Sequence, residues 1–141
     1  MSNFCDQLKV NIQSLAAIIQ VISHETLRIR AYCIQAAEEL HRDLYLWNGS
    51  EGLKQYNPSD KQFEDFEDIG QPFEILDWIN DTSKNNDSLE RIILLEDFHH
   101  YFHEHTLVSR LRSYTVAVAS RQIEGISLVL SQPMEMLPIE L

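Results

Sequence analysis

The sequence predicts an α/β fold: a three-layer α/β/α sandwich with a mainly parallel sheet of four to five strands, residues 1–141 forming one domain. Two observations predict it. Short apolar runs alternate with amphipathic stretches of roughly ten residues or more, the rhythm of strand–helix–strand units. The runs are mostly continuous, so both faces of each strand are expected to be buried, as in a parallel sheet covered by helices on both sides.

Each element has its own signal. Phe4, Leu8, Ile12 and Leu15 recur at helical spacing and predict a helix over 4–15, with Ser2 or Asn3 to cap it. Residues 17–22 are rich in β-branched side chains and predict the first strand, ended by Ser23-His24-Glu25. Thr26 opens a second helix, in which Ile29, Cys33, Ala36 and Leu40 share a face. Leu44 to Trp47 predict a second strand, ended by Asn48-Gly49. Residues 49–71 hold glycines, a proline and the acidic tract Asp60 to Asp68, and predict a long, partly mobile excursion. Pro72 suits the first turn of a helix continued by Phe73, Leu76 and Ile79, and Asp81 to Ser88 reads as a solvated loop. Residues 91–95 predict a third strand, Glu104 to Arg121 a helix, and 126–130 a fourth strand, ended by Ser131-Gln132-Pro133.

Charge narrows the function classes. There are 11 Lys+Arg against 22 Asp+Glu, a net charge of −11. Residues 51–90 carry most of the imbalance. No basic stripe exists to displace counterions from phosphates, which argues against nucleic acid and against anionic membrane surfaces. No apolar run approaches the roughly 20 residues that span a bilayer. The first residues do not read as a secretory signal, so a cytoplasmic location is expected. Cys5 and Cys33, without a CxxC, exclude a disulfide scaffold and a four-thiolate zinc site. Cys33, on an apolar helical stripe, reads as a buried, inert thiol.

In a parallel α/β sheet, ligands bind beyond the carboxyl ends of the strands. The polar punctuation falls there: Ser23, His24, Glu25 and Thr26 after the first strand, Asn48 after the second, Glu96, Asp97 and His99 after the third, Ser131 after the fourth. The plainer reading is that polar residues simply end strands. A phosphate loop of the G-x-x-x-x-G-K-[ST] type is missing, since Ser23 to Thr26 hold no glycine and no lysine, and Glu25 would repel a triphosphate. Leu94-Leu95-Glu96-Asp97 has the form of a Walker-B ending, in which an acid at a strand tip holds Mg²⁺. A cap or loop anchor is the plainer role for Asp97.

His99, His100, His103 and His105 cluster in one segment. In a helix, His99 and His103 would share a face and make a weak metal pair, although H-E-x-x-H is absent. No nucleophile elbow exists. Arg110 and Arg112 flank Leu111 and read as surface ion pairs or as contacts for a partner. Phe63 and Phe66, interleaved with acids, are the best candidates for an exposed protein contact, or else tuck back onto the core.

The order of these motifs resembles a known family. Ile19 to Arg28, Leu46-Trp47 with Glu51-Gly52-Leu53, Leu94 to His99, Arg110-Leu111-Arg112, Leu130 to Pro133 and Leu137 to Leu141 are together similar to the N-terminal region of the AAA-type ATPases of cyanobacteria and some plastid genomes. The resemblance covers nearly the whole chain except roughly 55–90. It implies a P-loop NTPase-like fold of the RecA/AAA kind with a degenerate nucleotide site, Asp97 in the place of the Walker B acid and Ser131 in that of a polar sensor. The motor would begin after a segment like 137–141, so the family's ATPase activity does not carry over. The resemblance also implies a role in regulating photosynthetic carbon uptake.

The resulting expectation is a non-catalytic regulatory or protein-interaction domain with no cofactor. Its partner would be a protein, either a separate AAA motor or a second copy of the chain. The alternatives are a nucleotide-binding or weakly ATP-hydrolysing domain with an unusual phosphate loop, and a metal-binding protein built on the histidines.

Overall fold

The computed structural model describes residues 18–22, 25–84, 90–119 and 126–132. The helix expected over 4–15, the turn residues Ser23 and His24, and the segment 137–141 lie outside the described residues. The elements run β1 (Ile18–Ile22), α1 (Thr26–Leu40), β2 (Asp43–Asn48), β3 (Gly52–Asn57), β4 (Gln62–Glu67), α2 (Pro72–Lys84), β5 (Arg91–Glu96), a 3₁₀ turn (Phe98–Tyr101), α3 (His105–Ala119) and β6 (Ile126–Gln132). Among the described residues the fold is α/β, with one mixed sheet and three α-helices.

The strands form one six-stranded sheet in the order β1-β6-β5-β2-β3-β4. The pairs β1–β6, β6–β5 and β5–β2 are parallel; β2–β3 and β3–β4 are antiparallel. From β1 to β2 the chain crosses the sheet in one direction, and from β2 through β5 to β6 it returns. Right-handed crossovers place connections of opposite direction on opposite faces. Accordingly, α1 packs on one face and α2 and α3 on the other.

Strand alternation builds a core on each face. Leu44, Leu46, Ile92, Leu94 and Val129 point toward α1 and meet Ile29, Cys33 and Ala36. Tyr45, Trp47, Ile93, Leu95, Leu128 and Leu130 point the other way, onto Ile75, Ile79, Leu107 and Leu111. All six residues of β5 are buried, because it is flanked by β2 and β6 and covered on both sides. The α1 helix ends where His41 turns left-handed, with φ 56°, and the Arg42 N–H donates to the Ala37 carbonyl at 2.9 Å.

The structure corrects the expected strand count and the reading of residues 49–71. These residues are not an excursion: they form a β-hairpin, β3–β4, that extends the sheet with antiparallel strands. Phe63 and Phe66 are three apart, so they point to opposite faces, and the period-two pattern that marks a half-buried strand never appears. Phe63 stacks edge-on against its register partner Tyr56 (centroids 5.4 Å), on the α1 side. Phe66, at a register irregularity, touches Tyr45 (5.4 Å) and Trp78 (6.0 Å) on the other side and remains 43% exposed. Gly52 opens β3 with φ +77°, a conformation that a side chain would strain. The α2 helix also runs on to Lys84, through part of the expected loop.

Candidate functional site

Strand parity decides what meets at the carboxyl edge of the sheet. Glu96 has the parity of Ile92 and Leu94, Asn48 that of Leu44 and Leu46, and Ser131 that of Val129. All three therefore share the face covered by α1. Arg30 lies three residues before Cys33 on α1, near enough to the inner face to reach over the edge.

There Arg30 forks onto Glu96. Its Nε donates to Glu96 Oε2 and an Nη to Oε1, both at 2.7 Å. Such a bidentate guanidinium–carboxylate pair is among the stronger polar contacts in proteins. Glu96 is 5% exposed, and the Arg30 side chain 23%. Asn48 Nδ2 donates to Glu96 Oε1 and to Glu51 Oε2, each at 3.1 Å, while Asn48 Oδ1 accepts the backbone N–H groups of Ser50 and Glu51. Arg30 also reaches Glu51 at 3.4 Å. Hydrogen bonding to Glu96 holds the Arg30 guanidinium above its ordinary pKa; burial opposes it, and the charges of Glu96 and Glu51 add to the rise.

The network lines an open cleft of about 590 Å³ that also takes in Thr26, Asp97, His100 and Tyr101. Its charged lining is one guanidinium, Arg30, against three carboxylates, Glu51, Glu96 and Asp97. The guanidinium is already held by two of them. The acid in the Walker B place, Asp97, is exposed at this edge, while its neighbour Glu96 is engaged. Both Glu96 oxygens accept from cationic or amide donors, and the charged lining of the cleft is negative in balance.

The structure places the other expected site residues individually. Glu25 is exposed and pairs with Arg28 at 2.9 Å; Thr26 is exposed at the start of α1. Asp97 is exposed and left-handed, with φ 56°, and its N–H donates to the Ser131 carbonyl at 2.9 Å, which ties the end of β5 to β6. Ser131 is buried. His99 is not helical with His103, as the metal pair required. It lies in the 3₁₀ turn, α3 begins only at His105, and His103 is exposed. His99 is buried instead and stacks on His100, with ring centroids 4.2 Å apart. Burial, then the neighbouring His100, hold its pKa below the ordinary imidazole value, against an opposing pull from Asp97. Arg110 pairs with Asp77 and lies 4.9 Å over the Phe73 ring, so its charge joins α3 to α2. Arg112 is exposed on α3. Phe63 and Phe66 sit on the edge strand β4.

Sequence reasoning missed Arg30 altogether and stopped at Asn48 and Glu96 as strand ends. Parity would have found them: two polar residues closing adjacent apolar strands on the same face, opposite the only cation in the first two turns of α1's inner flank. The acid expected to matter was Asp97, but the buried acid is Glu96.

No curated protein and no solved structure shows a significant match. A family match covers residues 4–141 and is to the SpoVK-like AAA ATPase, N-terminal domain. With its α/β fold and the polar edge described above, the chain belongs to the family of SpoVK-like AAA ATPase N-terminal domains.

Proposed function

We propose that this domain is a non-catalytic regulatory or protein-interaction module whose nucleotide-type cleft has its one guanidinium neutralised from within. The supporting observation is the Arg30–Glu96 pair, a guanidinium fork seated on a buried strand-end carboxylate at 2.7 Å on both arms. It engages both oxygens of Glu96, the buried acid next to Asp97 in the Walker B place, and so spends the cleft's guanidinium on an internal carboxylate. The partner is a protein, either an AAA motor or a second copy of the chain, met in the cytoplasm. The contact is the β4 edge, where Phe66 is exposed among Glu64, Asp65 and Glu67. The resemblance to the cyanobacterial and plastid ATPases extends the proposal to regulation of photosynthetic carbon uptake.

Thermal unfolding with and without Mg-ATP or Mg-ADP tests whether the cleft takes nucleotide. The melting temperature is expected to stay unchanged at millimolar nucleotide. A ligand present at 100 times its dissociation constant would add about 2.7 kcal/mol, a rise easily seen. Such a rise, lost in Asp97→Ala, would establish a nucleotide-binding domain instead.

A further inference from the structure

We propose that the turn after β5 is a divalent transition-metal site, with Asp97, His99 and His100 as ligands and zinc-class ions as the cation bound. The proposal goes beyond the function argued above, which needs no metal. One ligand atom from each of the three residues lies within 4.8 Å of the others. His99 is 95% buried, yet its Nδ1 is sealed from solvent without a hydrogen-bond partner. Buried polar atoms are nearly always satisfied, and an unsatisfied one calls for a missing ligand, ion or water.

The turn holds the backbone that carries the donors in place. Asp97 is fixed in the left-handed region by its N–H bond to the Ser131 carbonyl. The His100 N–H donates to the Asp97 carbonyl and the Phe102 N–H to the His99 carbonyl. Between them, Phe98 is anchored in the core against Trp47, with centroids 5.8 Å apart. Three donors therefore project from one short, hydrogen-bonded turn, and metal binding need not order a long loop.

Two imidazoles and a carboxylate suit borderline-soft divalent ions better than Mg²⁺ or Ca²⁺, which prefer oxygen alone. Tetrahedral ligands at about 2.0–2.1 Å from zinc stand roughly 3.3 Å apart. The donors must then close by about 1.5 Å at most to reach that zinc geometry. Asp97 and His100 are exposed and can rotate to do so. Both also line the cleft, so a fourth coordination position would open toward it.

The test is zinc titration of the full chain, made without a histidine tag and stripped with chelator, in competition with a chromophoric chelator. One equivalent of Zn²⁺ is expected. His100→Ala and Asp97→Asn should each weaken it at least tenfold, whereas the double variant His103→Ala/His105→Ala should change it less than twofold. Asn tolerates the left-handed backbone, so Asp97→Asn preserves the turn. Both single variants alter exposed residues, and an unchanged far-ultraviolet spectrum and melting temperature would show that each remains folded. No zinc binding would overturn the proposal, as would binding that survives His100→Ala and Asp97→Asn or that is lost equally with His103 and His105.

Discussion

Arg30→Ala is expected to lower the free energy of unfolding by about 3 kcal/mol, the low end for breaking one partner of a buried ion pair. The variant strands Glu96, 5% exposed, with only the Asn48 amide for company. The low end applies because the Arg30 side chain keeps 23% exposure, so water partly softens the pair. At roughly 2–4 °C per kcal/mol for domains of somewhat greater length, and more for smaller ones, the melting temperature should fall by about 10 °C. Arg30→Met/Glu96→Leu removes both charges at similar volume and should recover most of the loss, since a well-packed apolar pair often matches a buried ionic one. Chemical denaturation of the three proteins reads this directly. If Arg30→Ala is neutral, the fork does not hold Glu96 at the sheet edge.

Trp47→Ala is expected to cost about 3–5 kcal/mol, the range for deleting a buried large aromatic. Trp47 is fully buried in β2, edge-on to Phe98, and its indole N–H donates to the Ile69 carbonyl at 2.8 Å. That bond joins the strand to the segment between β4 and α2, so the alanine variant loses packing and leaves a buried carbonyl without its donor. Trp47→Phe keeps most of the apolar surface and should cost about 1–2 kcal/mol, mainly the lost hydrogen bond. Urea unfolding followed by far-ultraviolet circular dichroism separates the two. Equal losses in both variants would mean that the hydrogen bond, rather than the ring volume, holds the position.

The parallel strands were legible because continuous apolar runs such as Ile92 to Leu95 have few other uses in a chain of this composition. Strands β3 and β4 were not. On β4 the two aromatic residues serve opposite faces and acids fill the rest, so local pattern resembled a polar loop while tertiary pairing made a strand. The edge location of the candidate site followed from where polar residues interrupt apolar runs. Its chemistry did not follow, because Arg30 and Glu96 are 66 residues apart, and only sheet order and parity bring them together. The histidine segment misled for a local reason. Spacing of four suggested a helix, but the left-handed Asp97 starts a 3₁₀ turn that buries His99 and separates it from His103.

The side-chain Nε–H resonance of Arg30 reports most directly on the central claim, because an N–H donated to a buried carboxylate exchanges slowly with water. In a ¹H–¹⁵N spectrum it should appear as a protected signal, unmoved by millimolar Mg-ATP. A fast-exchanging signal, or one that shifts in proportion to added nucleotide, would contradict the internally neutralised cleft.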